Sequence, residues 1–238
     1  MPPLLSIVVP VHNEAEFLPI GLPGLFDAVD QVGSVVEVIV VENGSTDGSS
    51  DVARELIAGR SGRLEQLAEA DYGAALRHGF LRAEGEWIVN VDVDYYSAAF
   101  FRSVVDHAGD ADLVIGSKRD PGSDDRRPLL RRAGTRVFNL LLRCMFGSGV
   151  SDTHGMKGFR RSAVAPLVVE VVSRKDLFDT ELVLRAERAG LRIVEVPVVV
   201  EELRPARSSF VKRVPRTLTG LWAIRRVLPR AGGSASRR

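Results

Sequence analysis

In "EWIVNVDVDYYSAAF", from Glu86 to Phe100, an apolar run breaks off at two carboxylates, Asp92 and Asp94. Side chains at i and i+2 of an extended chain point the same way, so these anions repel unless each finds solvent, a donor or a cation. Two chemistries fit. In a solvated turn, Asp serves its own backbone hydrogen bonds. In a divalent site at the end of a buried strand, the pair supplies hard oxygen ligands to a cation that keeps some waters and bridges to substrate phosphates. Such a cation stabilises charge developing on a diphosphate leaving group, which is Lewis-acid work rather than acid–base work.

The elements that must position this pair are short, Val/Ile-rich runs: "LLSIVVP" (4–10), "VVEVIVV" (35–41), "EWIVNVD" (86–92) and "DLVIGS" (112–117). Nearly continuous in apolar residues, they read as strands covered by helices on both faces. Helix-like segments lie between them, at 14–30, at "SSDVARELIAG" (49–59) and at "YGAALRHGFLRAEG" (72–85). The alternation predicts an α/β fold with a doubly wound, mainly parallel sheet.

In such sheets ligands bind at the carboxyl ends of strands. Three predicted strand ends are polar in the same manner: "PVHNE", "ENGSTDGS" and "DVDYYS". Taken alone, "VVENGSTDGSS" is a loop with a helix cap. Neither a P-loop nor a G-x-G-x-x-G follows any of these strands, so a diphosphate here is not held by a glycine cradle.

Beyond the turn-rich "GSKRDPGSDDRRP" (116–128), "LLRRAGTRVFNLLLRCMFG" (129–147) reads as a helix with Arg131, Thr135 and Asn139 in one polar stripe beside a broad apolar surface. A helix-like "FDTELVLRAERAG" (178–190) and a strand-like "LRIVEVPVVVEE" (191–202) follow, then an amphipathic, basic run interrupted by Pro215.

Of 238 residues, 45% are hydrophobic and 26% charged, enough for a substantial core. One cysteine, Cys144, permits no intrachain disulfide, and four histidines do not suggest structural zinc. "MPPLLSIVVPVHNE" lacks a basic leader and is far shorter than the ~20 apolar residues of a membrane span. The expected location is cytoplasmic and peripheral, at the inner face of the cell membrane. The net charge of +1 is polarised: residues 204–238 hold ten Lys or Arg and no acid, leaving −9 for residues 1–203. That basic end suits an anionic membrane surface, where each cation contributes roughly 1 kcal/mol. The alternative is that Leu218, Leu221, Trp222 and Ile224 pack on the domain. No nucleic-acid recognition module is legible, so no nucleic-acid partner is expected. The organisation expected is a catalytic domain over 1–203, a basic amphipathic membrane-surface segment over 204–230 and a disordered tail over 231–238.

The stretches "SIVVPVHNEAEFL", "VIVVENGSTDGSSDVA", "YGAALRHGF", "EGEWIVNVDVDYYS", "VIGSKR", "SDTHGMKGFRRS" and "FDTELVLRAERAGLRIVEVPV" occur in an order that resembles glycosyltransferase family 2. They are most similar to its polyprenyl-phosphate sugar synthase branch, the relatives of dolichyl-phosphate mannose and glucose synthases, over roughly residues 4–212. The resemblance implies a GT-A fold with a Rossmann-like nucleotide-binding half, a nucleotide-sugar donor, inversion at the anomeric carbon and Mg²⁺ or Mn²⁺ as cofactor. It implies that Pro10, Val11, His12, Glu14, Glu42 and Asn43 line the donor pocket, and that Asp92, Val93 and Asp94 meet the diphosphate, with the two aspartates on the metal. Arg119, Arg131 and Thr135 would face the acceptor phosphate. Arg204 and Lys212 would close over the donor. The chain departs from the family at His12, where an aromatic residue is usual, at Glu42-Asn43 in place of Asp-Asp, and at Tyr96, where mannosyl-lipid relatives carry a third metal ligand. These departures leave guanine or uracil open as the base and leave fewer protein groups for the metal.

A lipid monophosphate acceptor is already an anion and needs only cations to position it, a role that suits arginine. A sugar-hydroxyl acceptor instead requires a carboxylate base, for which Asp179 and Glu181 are the candidates, with Asp152 behind them. The expected partners are thus a nucleotide sugar, a polyprenyl-phosphate lipid and a membrane surface, with room for a membrane protein that presents the lipid. The rival readings are transfer to a sugar hydroxyl and a non-catalytic nucleotide-sugar-binding module.

Overall fold

The computed structural model describes residues 4–200 and 210–228. Its first half alternates as the apolar periodicity requires: β1 (Leu5–Val11), α1 (Leu18–Asp30), β2 (Val36–Asn43), α2 (Ser49–Ile57), β3 (Gly62–Leu67), α3 (Tyr72–Arg82), β4 (Trp87–Asn90), α4 (Ala98–Asp106) and β5 (Leu113–Ser117). There follow β6 (Asp124–Asp125), α5 (Leu129–Phe146), β7 (Lys157–Arg160), α6 (Arg161–Glu170), a 3-10 turn (Lys175–Leu177), α7 (Phe178–Arg188), β8 (Ile193–Pro197), β9 (Val199–Val200) and α8 (Phe210–Val227).

Seven strands form one sheet in the order β3-β2-β1-β4-β7-β5-β8, and β6 pairs with β9 in a second, two-stranded sheet. Every pairing in the large sheet is parallel except those of β7, which runs antiparallel between β4 and β5. Side chains alternate across the strands, so Ile7, Val9, Val38 and Val40 meet α1, α2 and α4 on one face. Val8, Ile39 and Val41 meet α3, α6 and α7 on the other. Both layers exclude water, which is why these strands carry almost no polar residues.

Several elements escape the periodicity. The edge strand β3, "GRLEQL", is half-polar because it is covered less. The four residues of β7, "KGFR", begin with a buried lysine that breaks any apolar run. Helix α4 is announced only by its cap, Ser97, whose hydroxyl accepts from the Phe100 amide at 3.3 Å. Two expectations need correction. The strand expected over 86–92 ends at Asn90, so Asp92 and Asp94 are not on extended chain. Pro215 does not interrupt the basic segment: α8 runs through it, losing one backbone hydrogen bond within its first two turns.

Helix α8 is anchored by Leu221 and Ile224, both fully buried against Leu142, Phe146, Leu177 and Leu184, while Trp222 stays 64% exposed. Leu218 is largely exposed as well. The helix is therefore both docked on the domain and apolar outward.

Close approach of α3 to the sheet depends on Gly79, where a Cβ would come within 2.4 Å of Val8 Cγ1 and 3.1 Å of Val41 Cγ2. Gly79→Ala is expected to destabilise the fold by about 1–3 kcal/mol despite better helix propensity, as measured by urea unfolding.

A candidate donor pocket at the carboxyl edge of the sheet

The carboxyl ends of β1, β2 and β4 open into a cavity of about 360 Å³ lined by Pro10, Val11, His12, Glu14, Asn43, Ala70, Tyr72, Asp92, Val93, Asp94, Lys175 and Arg216. Parallel strands splay here, and the loops that follow them carry the polar residues.

Hydrogen bonds between loops set the upper wall. His12 Nδ1 lies 2.8 Å from the Asn43 carbonyl oxygen. The Asn43 side-chain oxygen accepts from the Asp71 amide at 2.8 Å, and Asp71 in turn caps α3 by accepting from the Ala74 amide at 3.0 Å. Asp47 holds the first loop, accepting from the Ser49 hydroxyl at 2.5 Å and from the Ala15 amide at 3.1 Å. Ser49 Oγ in turn accepts from the Glu14 amide at 2.7 Å.

Asp92 and Asp94 sit in a tight turn closed by the Tyr95 amide, which donates to the Asp92 carbonyl at 3.0 Å. Both still face the cavity, brought together by the turn rather than by strand periodicity. Burial, then Asp94, then Asp179 push the Asp92 carboxyl up to about 6 from the ordinary 3.8, against the opposing pull of Lys157 and Lys118. An acidic excess held out of water is what a hard divalent cation relieves. Among the described residues no group of three or more His, Cys, Asp or Glu side chains is arranged to hold a metal. Asp92 and Asp94 would hold a divalent cation with only two protein side chains, a donor set of hard oxygens that fits Mg²⁺ or Mn²⁺.

Beneath the aspartates lies a buried ion pair. Lys157 starts β7, in register with Asn90 of β4 and Ile115 of β5. Its ammonium, fully buried, donates to Asp179 Oδ2 at 2.9 Å and to the Gly155 carbonyl at 2.7 Å. Beside it Lys118 donates to the His154 carbonyl at 2.9 Å, lies 3.3 Å from Asp152 Oδ2 and faces the Tyr95 ring at 5.7 Å. Burial holds the Lys118 ammonium below its ordinary range, though Asp152 pulls it back. A Cβ at Gly155, whose φ is +108°, would come within 3.0 Å of Lys118 Nζ, so the glycine makes room for the cation.

Other residues singled out from the sequence lie elsewhere. Glu42 does not line the cavity; it is buried and accepts from the Ser45 amide at 2.5 Å, shaping the loop. Arg119 is exposed on the surface while its neighbour Lys118 turns inward. Arg131 and Thr135 are half-buried on α5 outside the cavity, on the stripe whose third member, Asn139, is buried and donates to the Ser151 carbonyl. Arg127 forks onto Asp125 through two contacts of 2.8 Å. Tyr96 turns away from the site, its hydroxyl seated over Gly24 of α1. Arg204 lies outside the described residues, and Lys212 lies on α8 with its side chain outside them. Lys175, Arg216, Ala70 and Tyr72 also line the cavity, and no local sequence signal marks them, because the segments bearing them meet the strand ends only after folding.

The family description "Glycosyl transferase family 2" matches residues 6–167. The chain is 31% identical over 241 residues to polyprenol monophosphomannose synthase of Mycolicibacterium smegmatis, across 95% of this chain and 89% of that protein. It is 30% identical over 219 residues to glycosyltransferase AglD of Haloferax volcanii, covering 88% of this chain but spanning only 35% of that protein. Among solved structures, the mannosyltransferase PcManGT of Pyrobaculum calidifontis, in complex with GDP-Man and Mn²⁺, superposes with a TM-score of 0.65 at 22% identity, covering 99% of this chain and 66% of that one. This likeness identifies the architecture as the GT-A fold.

A carboxyl whose folded value is raised makes the native state bind more protons than the unfolded chain, so its contribution to stability falls as pH rises from 3.8 to about 6. Asp92→Asn is expected to remove that fall and raise the metal-free melting temperature at pH 7.5. Mn²⁺ should raise the melting temperature of the parent protein and leave that of the variant unmoved.

Proposed function

Because the chain belongs to glycosyltransferase family 2, we propose that it transfers a hexose, with inversion, from a nucleotide sugar to a polyprenyl phosphate at a membrane surface. The polyprenol monophosphomannose synthase relative supports a mannosyl donor, and solved structures of this fold in complex with GDP-Man and with UDP-glucose leave guanine and uracil both open as its base.

The observation that carries the choice of acceptor is the state of the carboxylates. A sugar hydroxyl needs a free base, yet each candidate is buried and already paired. Asp179 is held by Lys157. Glu181 is held by Arg185 at 2.8 Å and accepts from the amides of Val172 and Ser173. Asp152 faces Lys118 and accepts from the His154 amide. A carboxylate already committed to a cation and to backbone amides is not placed to serve a sugar hydroxyl. A phosphate monoester removes the requirement, because its oxygen is already an anion.

In the transfer, an acceptor phosphate oxygen forms the bond to the anomeric carbon as the bond from that carbon to the diphosphate oxygen breaks, and the nucleoside diphosphate departs. Asp92 and Asp94 would hold Mg²⁺ or Mn²⁺, which when bound stabilises charge on the leaving diphosphate. Pro10, Val11, His12 and Asn43 enclose the nucleoside, and Lys157 keeps the floor beneath the aspartates from accumulating charge. Arg131 and Thr135, on the polar stripe of α5, supply the approach for the acceptor phosphate.

Helix α5 supports membrane docking. Leu129, Leu130, Val137 and Leu140 are 78%, 72%, 58% and 59% exposed and fall within one arc of about 100°. Arg132, Arg136 and Arg143 flank that arc. Trp222 of α8 adds an interfacial aromatic. Among the described residues no helix is long and apolar enough to cross a membrane.

Labelled GDP-mannose incubated with lipid extract should enter a mild-acid-labile lipid product; labelled donor that never does so overturns the acceptor assignment. Asp94→Ala should cut transfer at least about a hundredfold. Leu130→Glu with Leu140→Glu should abolish cosedimentation with anionic vesicles while nucleotide affinity, measured by calorimetry, stays unchanged.

A further inference from the structure

The pocket's acidic side, with Asp92 and Asp94, has a cationic counterpart. Lys175 and Arg216 reach the cavity from different elements, the turn before α7 and helix α8. Lys175 sits at φ +55°, in the left-handed region that lysine seldom adopts, and its amide donates to Asp71 Oδ1 at 3.0 Å. The same oxygen accepts the Ala74 amide, so one carboxylate ties the first turn of α3 to the lysine's backbone. Packing holds the arrangement as well: a Cβ at Gly73 would lie 3.0 Å from the Lys175 nitrogen, and a Cβ at Gly220 of α8 would lie 2.3 Å from Leu177 Cδ1. The turn bearing Lys175 is thus also the seat of the helix bearing Arg216.

We propose that Lys175 and Arg216 form the cationic wall of this pocket and bind the phosphates of a nucleoside diphosphate, and that Asp71 is the residue that positions Lys175. This rests on the donor reading above. The charge balance supports it. Glu14, Asp92 and Asp94 make the lining acidic even with a divalent cation present, so the diphosphate needs cations of its own, and among the lining residues Lys175 and Arg216 are the lysine and arginine that can supply them. Lys175 lines the pocket while holding an unfavourable backbone angle, and the Asp71 carboxylate is the side chain that hydrogen-bonds its amide there.

The test uses the full chain with GDP and UDP, by calorimetry in Mn²⁺, and with guanosine and uridine, by NMR titration. Lys175→Ala and Arg216→Ala should each weaken nucleoside diphosphate binding about tenfold and leave nucleoside binding unchanged. Asp71→Ala should match Lys175→Ala yet add nothing in the Lys175→Ala background, while Asp71→Asn, which keeps the accepting oxygen, should bind as the parent does. If Asp71→Ala fails to fold, as its melting curve would reveal, Gly73→Ala replaces it by pressing on the Lys175 amide. Unchanged diphosphate affinity in Lys175→Ala, an equal loss of nucleoside affinity, additive effects of the two positions or a parent that binds neither diphosphate overturns the proposal. A parent that binds diphosphate in this pattern but never labels lipid overturns the acceptor assignment alone.

Discussion

Negative charge held out of water at the carboxyl edge of the sheet is the constraint on which the remaining architecture depends. Asp94 and Asp179 both lie close enough to raise the cost of ionising the buried Asp92, and in a low-dielectric setting such repulsion is several times stronger than in water. The fold tolerates it because β7 runs against its neighbours and delivers Lys157 to the end of β4, where its ammonium meets Asp179 at 2.9 Å. Without a strand inserted in that sense, the lysine would enter from the opposite end of the sheet. A buried ion pair of this kind contributes little net stability, since desolvation offsets most of the attraction. Its value here lies in setting the field beneath a site that must be acidic enough for a cation and still fold.

The loops around that centre are tied to each other more than to their own strands. His12, Asn43, Asp71 and Lys175 form a chain of contacts across four segments, each link between 2.8 and 3.0 Å. Loops normally carry mobility as well as function. Here cross-links between loops hold the pocket open in one shape, so the entropy of ordering it is met on folding rather than on binding.

Helix α5 divides the acceptor side into two environments. One face turns Asn139, Leu142 and Phe146 onto the domain, while the opposite face leaves four large aliphatic side chains in solvent. Such an exposed apolar arc is the feature of α5 on which the membrane-docking proposal rests. Helix α8 repeats the arrangement, with Leu221 and Ile224 inward and Trp222 outward. A lipid whose phosphate enters the polar side can therefore leave its tail on the apolar side.

The pattern of apolar residues alone determined the parallel, doubly wound core, because burial on both faces leaves little choice of composition in strands such as β1 and β2. The order of its polar strand ends likewise marked where Pro10, His12, Asn43, Asp92 and Asp94 gather. Tertiary structure decided the rest. Lys118 and Arg119 are adjacent in sequence and equal in charge, and only packing against Gly155 and Tyr95 turned one inward and left the other outside. Asp179 and Glu181, with Asp152 behind them, stood as candidate bases until the fold placed a cation against each. Lys175 and Arg216 lie far along the chain from the first strand, and no local period links them to it. Periodicity reports which face a residue shares with its near neighbours, whereas a site built at strand ends is assembled from contacts between distant segments, whose partners are set by the closure of the whole fold.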